Sequence, residues 1–260
     1  MKELSLGFIG GGRITMILLA ALEKRGLLPS QVVVSDTNEA ILDKLRRQFP
    51  SVRMVTNGNA EAVGQDLVFL SLHPPAAGGV LGSIREAVRN DAIVVSLMPK
   101  LTAAQLSGML GGFARIVRMI PNAPAIIGRG YNPVVYPAGL STQEKEAVAR
   151  LFSAFGQCPE VAEEKLEAYA VITAMGPTYL WFQLYELGAL ARSFGMTGPE
   201  AAEAVRQMAE GALAVMDDPD LAPEQVMDLV PVKPLGADEA AILAVYREKL
   251  PGLYGKLKAA

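Results

Sequence analysis

Three features of the sequence predict an α/β fold with a doubly wound parallel sheet followed by an all-helical domain. The first part of the chain alternates short β-branched runs with helical patterns. Runs such as "DLVFLSL" and "AIVVSL" are apolar on both faces, which is typical of parallel strands covered by helices on both sides. After Glu163 the strand-like runs disappear, and Ala, Leu, Glu and Met dominate. We therefore predict a sheet domain over residues 1–162 and a helical domain over residues 163–260.

The individual elements follow from these runs in chain order. Strands are predicted in "LSLGFI", "QVVVSD", "VRMV", "DLVFLSL", "AIVVSL" and "ARIVRMI". Helices are predicted between them, and Gly26 is expected to cap the first one at its C-terminus. In the second domain we expect helices over roughly 177–194, 199–216 and 237–249, with Pro199 in a first turn. The charge run "EEKLE" is expected to be a solvated helix start.

Composition and charge exclude several classes of protein. Of the 260 residues, 51% are hydrophobic and 20% are charged, which is typical of a globular chain. The net charge of −3 and the lack of a basic block argue against a nucleic-acid partner or an anionic membrane. The single cysteine, Cys158, excludes an internal disulfide and a multi-cysteine zinc site, and the single histidine, His73, argues against an ordinary zinc centre. We find no secretory h-region and no membrane-length apolar run, and we predict a cytoplasmic protein.

The stretch "LGFIGGGRIT" places three consecutive glycines, Gly10, Gly11 and Gly12, between a predicted strand and a predicted helix. This is the context of the Rossmann-type dinucleotide fingerprint. Gly10 would allow the tight turn, and Gly12 would let a pyrophosphate approach the backbone. The amides at the helix start, including those of Arg13 and Ile14, would bind that anion.

The sequence leaves the choice of nicotinamide cofactor open between NAD and NADP. Asp36 ends the second predicted strand, 21 residues after Thr15, where an acid would meet the adenosine ribose. A carboxylate there accepts hydrogen bonds from a free 2′-hydroxyl and repels a 2′-phosphate. Thr15 itself stands where Gly or Ala is usual, which predicts slightly wider packing of strand against helix. Nearby side chains could instead supply donors for a 2′-phosphate: Arg13, Ser35, Thr37 and Asn38.

At "MIPNAPAIIGRGYN" the chain resembles the pyrroline-5-carboxylate reductase family. The resemblance also includes the glycine stretch, "GQCPEVAEEKLEAYAVITAMGPTYLWFQLYELGALA" and "QVMDLVPVKPLG", and runs from about residue 5 to 250. The family pattern "MPNTPA" stands here as "IPNAPA" over 120–125, and "GSGPAY" stands as "AMGPTY" over 174–179. The resemblance implies a dinucleotide domain, a helical dimerisation domain and a homodimer or an assembly of dimers. It also implies hydride transfer, usually from NADPH, to the C=N carbon of a cyclic imino acid to give proline.

The resemblance assigns candidate site residues in both domains. Asn122 would lie beside the nicotinamide and the substrate, although an Asx-type turn is the alternative. The substrate pocket would include four residues of the second motif: Met175, Gly176, Pro177 and Tyr179. The family commonly has lysine followed by proline where this chain has His73 and Pro74, which we expect near the cofactor. His73 could polarise the substrate or donate a proton, or it could be an ordinary loop histidine.

Two departures from the family pattern bear on the substrate. The family's "SPGGTT" loop, which helps to bind the substrate carboxylate, aligns with "VKPLGA" over 232–237, where the hydroxyls and paired glycines are missing. Lys233 could replace those donors with a charge. The serine-rich turn before "GPAY" is here Thr173, Ala174 and Met175.

Two other functions therefore stay open beside reduction of a C=N bond in pyrroline-5-carboxylate. The chain could reduce a different imine or a carbonyl compound, or it could be a nucleotide-binding regulator without turnover. Elsewhere, Cys158 has no neighbouring base and is expected to be an inert thiol. The aromatic run of the first long C-terminal helix is expected to form mostly a dimer core: Tyr179, Trp181, Phe182 and Tyr185.

Overall fold

The computed structural model describes residues 4–258, apart from the side chain of Pro74. The chain divides into two compact units. One unit contains the chain up to Met175 and again from Leu253, and the other contains Gly176–Gly252. The domain boundary predicted after residue 162 stays a prediction.

The first unit is built on a seven-stranded sheet with the order β3-β2-β1-β4-β5-β6-β8. All neighbouring strands are parallel except β8, which runs antiparallel to β6. A separate parallel pair is formed by β7 and β9. The strands β1 to β9 are Leu6–Ile9, Val32–Asp36, Arg53–Thr56, Leu67–Leu70, Ile93–Ser96, Ile116–Met119, Gly130–Tyr131, Val134–Val135 and Gly156–Gln157.

Helices connect the strands of the first unit and make up most of the second. The second unit consists of α8, α9, α10 and the part of α11 that precedes Leu253. The helices α1 to α11 are Arg13–Lys24, Glu39–Gln48, Asn59–Val63, Pro74–Ile84, Ala103–Met109, Thr142–Phe152, Leu166–Tyr169, Pro177–Ser193, Gly198–Met216, Pro223–Asp228 and Glu239–Lys258.

Local sequence signals explain where several helices begin and end. Thr102, Ser141 and Thr197 each start a helix with a capping box, in which the hydroxyl and a glutamine or glutamate three residues later satisfy free amides. Gly26 follows α1 with a φ of 64°, which confirms the predicted C-terminal cap. Pro199 lies in the first turn of α9, as expected.

The core of the first unit lies on both faces of the sheet. Side chains that alternate along the strands separate into two buried clusters, because successive residues of a strand point to opposite faces. Phe8 of β1 and Phe69 of β4 stack at 4.6 Å between ring centroids in the first cluster. Strands β1, β2, β4, β5 and β6 are buried almost throughout, as predicted for a parallel sheet covered by helices, whereas β3 at the edge of the sheet is half-buried or exposed along its length.

The structure differs from the sequence-based expectations in three elements. The last helix, α11, continues through Pro251 and ends at Lys258, beyond the predicted end at 249. The helix after β4 begins at Pro74, because proline fits the first turn, where its missing amide hydrogen is not needed. Strands β7, β8 and β9 were not predicted, since two residues are too few for a periodic pattern.

Candidate active site

The glycine turn at the end of β1 requires glycine at its first position. Gly10 has a φ of 102°, and a Cβ there would lie 2.4 Å from the carbonyl oxygen of Ser71. The slightly wider packing predicted at Thr15 stays a prediction. This side chain is fully buried and its hydroxyl donates to the carbonyl oxygen of Gly10 at 2.6 Å. Thr15 therefore fastens α1 to the turn that precedes it.

Gly12 faces open space at the start of α1. Its backbone is extended, with a φ of −68° and a ψ of −170°, and a Cβ added there would meet no described atom within 4 Å. No side chain caps this helix start and its first turn holds no acidic residue. Free amides and the positive end of the helix dipole therefore face the open space, which fits a bound phosphate or pyrophosphate. Arg13 is exposed beside it, and Ile14 packs partly against the core.

Asp36 is bound to the glycine turn by its own side chain. One carboxylate oxygen accepts from the amide of Gly11 at 2.7 Å, and the other accepts from the amide of Asn38 at 2.8 Å. Asn38 caps α2 by accepting from the amide of Ala40 at 3.0 Å. Each carboxylate oxygen of Asp36 keeps one further lone pair for a ribose hydroxyl.

Ser35 lies where its hydroxyl cannot donate a hydrogen bond directly to a 2′-phosphate. The residue is fully buried, and its hydroxyl donates to the Asn59 side chain at 2.7 Å. The sequence pattern marked it as a polar residue at a strand end but contained no signal of its burial. Its contact supports the end of β2, which presents Asp36.

The end of β4 forms the next part of the same edge, since β1 and β4 are neighbours. Ser71 follows this strand, and its hydroxyl oxygen is buried without a hydrogen-bond partner among the described residues. His73 is exposed and occupies the N-cap position of α4, where its carbonyl oxygen accepts from Ala76. Its side chain does not cap the helix. The Pro74 side chain, predicted near the cofactor, lies outside what the structure describes.

Asn122 follows β6, and its buried side chain forms hydrogen bonds within the protein. Its amide nitrogen donates to the carbonyl oxygen of Thr173 at 3.2 Å, and its side-chain oxygen accepts from the amide of Tyr131 at 3.2 Å. The backbone amide of Asn122 donates to Asn132 at 3.0 Å. These bonds connect the "IPNAPA" segment to the turn before the "AMGPTY" motif. Asn132, fully buried, is a supporting residue that the sequence did not single out.

The expectation that "EEKLE" is solvated was wrong at Glu167, which is buried, and Glu163 is half-buried. Arg118 of β6 is 1% exposed, and its two terminal nitrogens donate to Glu163 and Glu167, each at 2.9 Å. Glu163 also accepts from the amide of Ala103, the first residue of α5, at 2.7 Å. A buried arginine needs such partners, because an uncompensated buried charge is very costly. The network fastens β6 and α5 to the segment that leads into the "AMGPTY" motif.

The "AMGPTY" motif begins α8 after an irregular turn. A π-helical turn over Ala170–Ala174 precedes Met175, and Gly176 and Pro177 start the helix. Within the second unit, the ring of Tyr179 lies edge-on to that of Tyr246 at 6.0 Å, and burial raises the pKa of the Tyr179 phenol.

Lys233 lies in a turn of the second unit rather than in a helix. Its carbonyl oxygen accepts from the amide of Gly236 at 3.0 Å, and its side chain is exposed. The described residues contain no group of histidine, cysteine or acidic side chains that could hold a metal ion. None of their helices is long and apolar enough to span a membrane.

The strand order of the mostly parallel sheet, together with an uncapped helix start at its carboxyl edge, is that of a dinucleotide-binding domain of the Rossmann type. Residues 5–100 match the family described as NADP oxidoreductase coenzyme F420-dependent. Over most of its length the chain is similar to pyrroline-5-carboxylate reductases. The curated enzyme of Pseudomonas aeruginosa is 27% identical over 244 residues, which cover 93% of this chain and 88% of that protein. The enzyme of Haemophilus influenzae is 26% identical over 251 residues, which cover 95% of this chain and 90% of that protein.

A solved structure shows the same fold. The crystal structure of Plasmodium falciparum pyrroline carboxylate reductase with NADP bound has a TM-score of 0.78 and 19% identity, and it covers 100% of this chain and 98% of that chain. The resemblance predicted from the sequence is thereby confirmed, as are the α/β fold class and the class of NAD(P)-dependent oxidoreductases.

Proposed function

We propose that this chain reduces the C=N bond of a small cyclic imine with NAD(P)H, and that 1-pyrroline-5-carboxylate is its substrate and L-proline its product. The observation that carries this proposal is the similarity to the Pseudomonas aeruginosa reductase over 93% of the chain, because it includes the helical unit as well as the sheet. The open space at Gly12 supports it independently, since this chain keeps room for a dinucleotide.

The residues at the carboxyl edge of the sheet fit a nicotinamide dinucleotide. The free amides after Gly11, together with Arg13, would bind the pyrophosphate, and Asp36 would bind the adenosine ribose. When bound, the reduced nicotinamide supplies a hydride for the carbon of the C=N bond. The nitrogen must then gain a proton, and His73, exposed at the end of β4, is the side chain we propose as its donor.

The remaining candidate residues act on the substrate in this proposal. Asn122 positions the loop after β6 through its bonds to Thr173 and Tyr131. Met175, Gly176, Pro177 and Tyr179 form part of the substrate pocket, and Lys233 supplies a charge for a carboxylate. These roles rest on the family resemblance. Action in the cytoplasm stays a prediction from the sequence.

We further propose that the protein is a homodimer or an assembly of dimers. In the helical unit, α8 exposes large apolar side chains, including Phe182 at 67% and Tyr185 at 79%. An apolar groove of about 470 Å³ lies between α8 and α9, with Trp181 and Tyr185 in its lining. A monomer would leave this surface in water, which soluble monomers rarely do.

A different imine or carbonyl substrate is the second candidate, and the altered "VKPLGA" loop is the observation that favours it. A nucleotide-binding regulator without turnover is the third. One experiment separates them: NAD(P)H oxidation is followed with 1-pyrroline-5-carboxylate, 1-pyrroline, an acyclic imine and a 2-keto acid. We expect turnover with the first compound to be fastest. Turnover of only the other compounds would overturn the proline assignment, and binding of NAD(P)H without any turnover would indicate the regulator.

A further inference from the structure

Lys100 has a backbone conformation that is unfavourable for its residue type. It follows β5 with a φ of 77°, and among the described residues only Asn57 shares a positive φ without being glycine. Asparagine tolerates this region because its short polar side chain bonds locally, whereas lysine meets the ordinary Cβ clash. Unfavourable backbone of this kind persists only where the surroundings hold it in place, and it is concentrated at functional sites.

The surroundings that hold Lys100 are the charged network described above. Its amide donates to Glu167 over a long 3.4 Å, and Glu167 in turn accepts from Arg118 at 2.9 Å. Three residues further on, the amide of Ala103 donates to Glu163 at 2.7 Å. The loop between β5 and α5 is therefore fastened at both ends to the segment that leads to the "AMGPTY" motif.

The Lys100 side chain is half-buried at the edge of a charged cleft. It lines a cleft of about 380 Å³ together with Arg118, Glu163 and Glu167, while Glu164 and Lys258 complete the charged lining. Glu163 and Glu167 are bound to Arg118, and the Lys100 ammonium group pairs with no carboxylate in the part of the chain that the structure describes. A partly desolvated ammonium without a counter-ion is costly unless an anion binds to it.

The position of Lys100 in the sheet favours an anionic group of the substrate. In the strand order, β5 lies between β4 and β6, so the Lys100 loop lies between the loops that contain His73 and Asn122. Substrates of such sheets bind in the crevice outside the carboxyl ends of the strands. Lysine binds an anion there as a compact point charge.

We infer that Lys100 is a specificity residue whose ammonium group binds the carboxylate of the substrate imine. This inference rests on the proposed function, and it names a residue of the sheet unit as the group that selects an acidic substrate. The unfavourable backbone of Lys100 is then the cost of placing that charge at the edge of β5.

The test compares KM for 1-pyrroline-5-carboxylate with KM for 1-pyrroline, which has no carboxylate. Lys100→Met should raise the first KM at least 10-fold and change the second less than 2-fold, whereas Lys100→Arg should stay within about 3-fold of wild type for both, because it keeps the charge. Lys256→Met is the matched control, since Lys256 is an exposed lysine of α11 outside the lining of this cleft. Equal effects of Lys100→Met on both imines, or an equal effect of Lys256→Met, would overturn the inference.

Two further measurements keep the inference testable. Lys100→Gly removes the Cβ clash, so we expect it to raise Tm by about 2 to 4 °C. It should also raise KM for 1-pyrroline-5-carboxylate as Lys100→Met does. An unchanged KM in this variant contradicts the inference.

If wild type reduces neither imine, the proposed function fails, and calorimetry with cyclopentanecarboxylate and its neutral carboxamide decides the inference. The inference is supported if wild type binds the carboxylate but not the carboxamide and if Lys100→Met loses this binding. Equal binding of the carboxylate by wild type and Lys100→Met overturns it.

Discussion

The carboxylate of Asp36 accepts a hydrogen bond from the backbone amide of Gly11 at 2.7 Å. This bond joins the end of β2 to the glycine turn after β1, two elements that also pair in the sheet. The same side chain accepts from Asn38 at the start of α2. Asp36 therefore orders the turn that would bind the pyrophosphate, and in the proposed function it also binds the adenosine ribose.

Asp36→Ala should change the cofactor preference of the protein. We expect NADH affinity to fall by about 10-fold or more, because a hydrogen bond to a charged group contributes about 1.5 to 3 kcal/mol. NADPH affinity should fall less, since repulsion of its 2′-phosphate disappears with the carboxylate. Calorimetry with NADH and with NADPH measures the ratio of the two affinities. Asp91→Ala, which removes an exposed carboxylate paired with Arg89, is the control and should change neither affinity. Equal losses for the two cofactors in Asp36→Ala would contradict the assignment of Asp36 to the ribose.

Substitutions at Gly12 and Gly10 should separate binding from stability. Gly12→Val should abolish dinucleotide binding with little change in Tm, because its backbone is extended and a side chain meets open space. Gly10→Ala should instead destabilise the protein by about 1 kcal/mol or more, because of the positive φ and the 2.4 Å contact with Ser71. Thermal unfolding and NAD(P)H titration of both variants provide the two readouts. A folded Gly12→Val protein with unchanged NAD(P)H affinity would refute the fingerprint assignment.

The exposed face of α8 should form the contact between subunits. We predict that the wild-type protein is a dimer or larger at micromolar concentration in light scattering. Phe182→Glu should raise the dissociation constant by about 100-fold or more, since large buried aromatic residues dominate such interfaces. Gln183→Glu adds the same charge one residue further along the helix and is the matched control. A wild-type protein that is a stable monomer would disprove this prediction.

Lys233→Ala tests the second cation assigned to the substrate. If Lys233 replaces the missing donors of the "SPGGTT" loop, its removal should raise KM for 1-pyrroline-5-carboxylate by about 10-fold, the effect of one lost charge-assisted hydrogen bond. The affinity for NAD(P)H should hardly change, and KM for 1-pyrroline should stay as in wild type. Steady-state kinetics on the two imines decides this. Equal effects on both would show that the turn does not bind a carboxylate.

The reactivity of Cys158 should depend steeply on pH. Burial raises the pKa of its thiol to about 11, although the amide of Asn132 partly opposes this shift. At pH 8 the reactive thiolate is then a fraction on the order of one in a thousand, so a thiol reagent should label the native protein slowly and the urea-unfolded protein fast. The labelling rate of native protein should rise about tenfold per pH unit up to pH 10.

The raised pKa of the Cys158 thiol also determines how the free energy of unfolding changes with pH. Because the folded pKa is raised, burial of the neutral thiol stabilises the protein fully below the unfolded pKa of about 8.5. That contribution is lost as the pH rises toward 11. Rapid labelling of the native protein at pH 8 would contradict the buried assignment.

Local sequence signals were sufficient for the fold class and for the glycine turn. Strand positions such as "DLVFLSL" follow from runs that are apolar on both faces, and the role of Gly10–Gly12 follows from their place between a strand and a helix. The family resemblance in "IPNAPA" and "AMGPTY" added the oxidoreductase class. Each of these signals lies within a short window of the chain, so no knowledge of packing was needed.

The tertiary structure alone decided which polar side chains support the site and which face it. Arg118 pairs with Glu163 and Glu167 across 45 and 49 residues of sequence, and Asn122 bonds to Thr173 across 51. No local periodicity encodes such contacts, because they arise only when separate strands and helices pack at one edge of the sheet. The pairing of the charge run "EEKLE" with Arg118, the buried hydroxyl of Ser35 and the left-handed backbone of Lys100 all depend on that packing. Burial determines which partner each polar group must find.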